Sequence, residues 1–128
     1  MDSSEIVIDA RDFGTLEEFY FVIGRKIVGP AHVGSGNLDW LNDILWWPYS
    51  EQMTPYTLVW KNSEKSRRDL SYAETLKQME KEQRSRFPHG GTVVSEIDSV
   101  RRGEGPTVFD WIVDVIQFNA KYVTLRLE

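Results

Sequence analysis

The chain has 128 residues, 41% hydrophobic and 27% charged, which is enough apolar material for one compact domain and too much for dominant disorder. Acidic residues outnumber basic ones by 20 to 15, a formal net charge of -5, which disfavours nucleic acid and anionic membranes as general partners and suits a basic protein. The absence of cysteine excludes a disulfide framework, a thiolate metal site and a thiol nucleophile.

The polar, acidic start Met1-Asp2-Ser3-Ser4-Glu5 is unlike a secretion signal, and no apolar run approaches the ~20 residues of a bilayer span, so the expected address is the cytoplasm. Glu5-Ile6-Val7-Ile8-Asp9 predicts a buried first strand. Thr15 is placed to cap a helix over residues 16–26, with Glu17 and Glu18 in its first turn and Leu16, Phe19, Tyr20 and Ile23 on its inner face; Gly29-Pro30 ends it. After the small-residue loop Gly34-Ser35-Gly36, Asn37 caps a second helix over 38–46, halted by Pro48. Residues 55–60 read as a second strand. A long polar helix is expected over 66–86, with Leu70, Ala73, Leu76 and Met79 inward. Pro88-His89-Gly90-Gly91 and Gly103-Glu104-Gly105-Pro106 mark turns on either side of residues 92–101, which read as a short helix, with a strand starting at Thr92 as the alternative. A last helix over 107–118 buries Val108, Trp111, Ile112, Val115 and Ile116, and the alternating residues 122–127 close the chain as a strand. Strands separated by helical crossovers pair in parallel, so the expected fold is α/β, a small three-stranded parallel sheet packed with helices.

The second helix carries the chemistry. At 3.6 residues per turn, Leu38, Leu41 and Leu45 share one face, and Asp39, Asn42, Asp43 and Trp46 fall on the other. Two carboxylates one turn apart cost an isolated helix only about 0.2–0.5 kcal/mol, so stability neither forbids nor explains them. One reading is bland: Asp39 complements the helix dipole and Asp43 keeps the surface soluble. The other makes the acidic face a contact surface, with Gly34 and Gly36 letting the backbone turn tightly beside it.

Asn37-Leu38-Asp39, with Leu41, Asp43 and Leu45 following, resembles the second helix of the barstar family, intracellular inhibitors of the secreted ribonuclease barnase. Pro55-Tyr56-Thr57-Leu58-Val59-Trp60 is similar to the family's second strand, Glu5-Ile6-Val7-Ile8-Asp9 to its first and Val123-Thr124-Leu125-Arg126-Leu127 to its last. The resemblance implies one barstar-like domain over 1–128, with a family-divergent insertion around 61–105. It implies an immunity protein, cytoplasmic and monomeric when free, that occludes the basic active site of a secreted nuclease toxin, a ribonuclease in the first instance. No catalysis, metal or cofactor of its own is implied. By position, Asp43 is the central contact and Asp39 the second. Asp114 matches an acidic contact on the family's last helix, with Asp110 one turn earlier as the alternative. Asn42, Trp46 and Gly34-Ser35-Gly36 supply the surrounding contacts. The chain departs from the family pattern in two places. Val33-Gly34-Ser35-Gly36 replaces an aromatic loop, and Asn42 replaces a tryptophan between the acidic positions. With the aromatic supply moved to Trp46, Trp47 and Tyr49, a different toxin partner is implied.

Other chemistries find less support. His32 and His89 stand at no metal-ligand spacing and read as surface residues, His32 close enough to the glycine loop to touch a partner. No nucleophile elbow, phosphate loop or zinc-protease motif is present. Paired carboxylates on an exposed helix lack the apolar pocket that a glycosidase acid requires. Trp46, Trp47 and Tyr49 suggest a carbohydrate-binding module as the alternative function. Trp47, Trp60 and Trp111 are expected in the core, and Trp46 on the surface.

Overall fold

The structure is a computed structural model that describes residues 4–30, 36–86 and 93–128, the side chains of 83–86 and 93–96 aside. Strands β1 (Glu5–Asp9), β2 (Tyr56–Lys61) and β3 (Val123–Leu127) lie in that order in one parallel sheet, with Ile6 beside Leu58 and Leu58 beside Leu125 in register. The expected three-stranded parallel α/β architecture is therefore what the chain adopts.

Helix α1 (Leu16–Ile27) starts where Thr15 accepts the Glu18 N–H, and α2 (Leu38–Ile44) where the Asn37 carboxamide accepts the Trp40 N–H at 2.8 Å. Pro48 does not end the second helix. It opens a new one, α3 (Trp47–Gln52), because a proline in a helix's first turn removes no hydrogen bond that the helix would have made. The restart changes the helical phase, and Trp47 faces outward at 44% exposure instead of entering the core.

The long helix expected over 66–86 is two. Helix α4 (Ser63–Asp69) ends at Leu70, and α5 (Tyr72–Arg86) follows at once. The break places the Leu70 carbonyl where it accepts the Phe109 N–H at 3.1 Å, at the start of a distant helix. The phase of α5 shifts accordingly: Ala73 is exposed, Leu76 and Met79 are half-buried, and Glu74 and Thr75 are buried. Both polar side chains serve helix ends. Glu74 accepts the Leu16 N–H of α1 at 2.9 Å, and Thr75 Oγ1 accepts the Val108 N–H of α7 (Val108–Phe118) at 2.8 Å. Helix α6 (Val93–Arg101) lies between, with Ile97 and Val100 buried. The turn after it has Gly103 and Gly105 at φ of 74° and 86°, a backbone that suits glycine. The turn Pro88-His89-Gly90-Gly91 lies outside the described residues.

Trp60 centres the core. Its ring stacks on Phe19 at 5.4 Å and meets Phe109 at 5.1 Å, and its buried N–H donates to Ser66 Oγ at 3.0 Å. On the opposite face of the sheet, Arg126 of β3 reaches Glu5 of β1 at 3.2 Å, so the two edge strands are tied across β2. At the end of β1, Asp9 accepts from the Arg11 guanidinium at 2.8 Å, from the Arg11 N–H and from Asn62 Nδ2.

Thr75→Val keeps the shape and leaves the Val108 N–H without its acceptor. It should destabilise the fold by about 1–3 kcal/mol, read as a lowered urea midpoint at unchanged slope. The side-chain and backbone donors of Arg11, then Asn62, hold the Asp9 carboxyl far below its ordinary value of 3.8. A carboxyl lowered by folding contributes stability that is complete above its unfolded value and is lost as acid drives the pH down through the folded one. Asp9→Asn should therefore be less stable than wild type at neutral pH, and the difference should shrink progressively once the pH falls below 4. Acid-limb denaturant titrations of the two proteins measure this, and a constant difference would contradict it.

Candidate functional site

Helix α2 is held at both ends. At its start, the Trp40 indole lies over Gly36 so closely that a Cβ there would collide with it, and Trp40 packs edge-on against Tyr20 of α1 at 5.9 Å. At its end, the buried Tyr56 hydroxyl donates to the Leu45 carbonyl at 2.7 Å, and burial raises the Tyr56 pKa. Leu41 and Leu45 of the expected apolar stripe are buried, joined by Ile44, while Leu38 is only half-buried. The opposite side presents Asp39 and Asp43, both exposed and one turn apart. Among the described residues neither carboxylate has a hydrogen-bond or ion-pair partner.

Asn42 behaves differently from its neighbours. It is half-buried, and its carboxamide oxygen accepts from Asn119 Nδ2 at 2.8 Å, while the same Asn119 nitrogen donates to Val115 O. It braces α2 against α7 and is not a freely outward side chain. The two aspartates of the last helix also separate. Asp110 is engaged in a capping box, accepting from Thr107 N at 2.9 Å and Thr107 Oγ1 at 3.1 Å. Asp114 is exposed and has no such partner among the described residues.

Two open grooves border α2. The first, at its N-terminal end, is lined by Asp39, Leu38, Gly36, Tyr20 and Trp111, with Glu17, Gln78 and Lys81 on its rim. Burial works to raise the Glu17 pKa, but the hydrogen bond from Gln78 at 2.7 Å and the Lys81 ammonium at 3.2 Å outweigh it and hold it below its ordinary value. The second groove, at the C-terminal end, is lined by Asp43, Asn42, Trp46, Trp47, Phe118 and Lys121, among others. Trp111, Asp114 and Phe118 recur at i, i+3 and i+7 on α7, so Asp114 sits on the helix stripe that joins the two grooves. Tyr49 is half-buried, its ring 4.9 Å from that of Tyr122. Trp60 is in the core and Trp111 is half-buried at the groove. Gly34, Ser35, His32 and His89 lie outside the described residues.

Phe118 and Lys121 are groove residues that the sequence does not single out, and Trp111, expected in the core, instead lines the first groove. For Phe118 the signal exists: it stands two residues past Ile116, on the side of α7 opposite the buried stripe Val108, Ile112 and Ile116.

The family model described as Barstar (barnase inhibitor) matches residues 4–89. The chain belongs to the Barstar family. Searches of curated proteins and of solved structures returned no match. The matched stretch of this Barstar-family chain contains β1, α2 with Asp39 and Asp43, β2 and all of α5, while α7 and Asp114 lie beyond it. Among the described residues there is no group of three or more His, Asp or Glu placed to hold a metal ion, and no helix long and apolar enough to cross a membrane.

Gly36→Ala tests how the helix start is seated. The added methyl must push the Trp40 indole away, which should destabilise the fold by about 1–3 kcal/mol and alter the near-ultraviolet circular dichroism of the aromatic cluster. An unchanged spectrum and melting midpoint would mean that the indole does not cover Gly36.

Proposed function

We propose that this chain is a cytoplasmic immunity protein, monomeric when free, that binds a basic nuclease toxin and blocks its active site without metal, cofactor or catalysis of its own. The target class we favour is a ribonuclease. The observation that carries the reading is the pair of exposed carboxylates, Asp39 and Asp43, without a partner among the described residues, on the short, braced second helix of a Barstar-family chain. Asp43 is the central anchor, Asp39 the second and Asp114 the third. Trp46 and the Gly34-Ser35-Gly36 loop supply flanking contacts, and Asn42 contributes by fixing α2. The whole of 1–128 acts as one unit, with the residues around 61–105 as its family-divergent part.

The physical logic is phosphate mimicry. A nuclease cleft is preorganised to receive anions. Carboxylates on a fixed helix offer its arginines charge-assisted hydrogen bonds with little ordering left to do. A net charge of -5 opposite a basic partner also raises the encounter rate in a salt-dependent way.

Inhibition of RNA hydrolysis is the direct test, with barnase as one probe and any nuclease found encoded beside this chain's gene as the other. The wild-type chain should inhibit at least one stoichiometrically. Asp43→Ala should weaken that inhibition by about thirtyfold or more, the order expected when one partner of a buried charge pair is removed (about 2–5 kcal/mol, a range drawn in part from barnase–barstar pairs). Its own stability should stay within about 0.5 kcal/mol of wild type. The association rate should fall at least about tenfold between low and high salt. No inhibition of either nuclease, or full inhibition by Asp43→Ala, would overturn the reading. A carbohydrate-binding module draws support from the exposure of Trp46 and Trp47, at 47% and 44%. It requires tryptophan quenching by oligosaccharides, and nuclease inhibition does not.

A further inference from the structure

The second groove contains more apolar surface than phosphate mimicry uses. Phe118, the last residue of α7, is 85% exposed and is the most exposed large apolar side chain among the described residues. It faces a groove shared with Trp46 and Trp47 at the start of α3 and with Asp43 on α2. Aromatic side chains from two different elements thus border the central carboxylate of the acidic face. Contiguous exposed apolar surface rimmed by charge marks an interaction site, and tryptophans in such places carry much of the binding energy.

Resting on the inhibitor reading above, we infer that the groove between Trp46 and Phe118 is a second anchor of the same interface, one that takes an apolar or aromatic side chain carried by the nuclease beside its basic cleft. Two observations select this occupant. The groove contains Asp43 itself, so a partner seated on that carboxylate overhangs the aromatic side chains. The charges within the groove are also divided. Asp43 favours a cation, while the Lys121 ammonium in the same groove, 5.6 Å from the Tyr122 ring centroid, disfavours a second one. Once Asp43 has its cation, the aromatic surface of Trp46, Trp47 and Phe118 therefore suits an uncharged apolar group. This contact gives affinity that salt does not screen, and it discriminates between nucleases that share a basic cleft and differ at its border.

The test measures dissociation constants at two salt concentrations, using whichever of the two nuclease probes the wild-type chain inhibits. Phe118→Ser and Trp46→Ala should each weaken binding tenfold or more, by the same factor at low and high salt. Asp43→Ala should weaken binding and also flatten its salt dependence. Phe118 is almost wholly exposed, so Phe118→Ser should leave the melting midpoint unchanged and any loss is a binding effect. If Asp43→Ala disables binding while Phe118→Ser and Trp46→Ala stay within twofold of wild type, the apolar anchor is overturned and the inhibitor reading stands. If the wild-type chain inhibits neither probe, both fall. Sedimentation of the free protein covers the competing occupant: a dimer that Phe118→Ser converts to monomer would assign the groove to a second copy and overturn the inference.

Discussion

Glu74 and Thr75, neighbours on α5, each satisfy the first free N–H of another helix: Leu16 at the start of α1 and Val108 at the start of α7. Successive residues on a helix point about 100° apart, so one turn of α5 can address two separate helices. Buried N–H groups left without acceptors would each cost about 1–3 kcal/mol, which locks both helix starts in place. Helix α2 packs against α1 and α7, so the position of the acidic face depends on this shared polar joint. The joint is itself possible because the chain breaks at Leu70, whose carbonyl takes the next N–H of α7.

A seven-residue helix such as α2 is marginal by itself in water. Here it is fixed by contacts at both ends and along one side. Asn37 caps it, the Tyr20–Trp40–Gly36 stack seats its start, the Tyr56 hydroxyl takes a carbonyl at its end, and Asn119 holds its flank. None of these groups uses the carboxylates. The two acidic side chains therefore stand on a settled backbone and, among the described residues, have no hydrogen-bond partner, so a group that engaged them would find little left to order.

What the sequence reveals follows how local its chemistry is. The three strands and the caps at Thr15 and Asn37 are legible because each depends on residues a few positions apart. The exposure of Asp39, Asp43 and Trp46 follows from helical spacing alone. The break at Leu70 is not legible, since its cause is Phe109, far along the chain. The inward turn of Glu74 and Thr75 is hidden for the same reason. Trp47 is misplaced because Pro48 begins a helix where a stop is expected, and the brace formed by Asn42 needs Asn119 to be seen. Asp110 and Asp114 are equivalent by spacing and distinct in fact, because only the former is engaged by Thr107.

The ion pair that joins Glu5 to Arg126 over the central strand has a bearing on how such a protein persists unaccompanied. A three-stranded sheet has two open borders, each a template on which another chain could continue the ladder. Here both borders carry ionised side chains, and Arg126 is further engaged by Glu128 at 2.7 Å. An incoming strand would have to strip water and counter-charge from these groups before gaining any backbone hydrogen bond. The same ion pair thus does two things, holding the outer strands together and making edge-to-edge extension of the sheet costly.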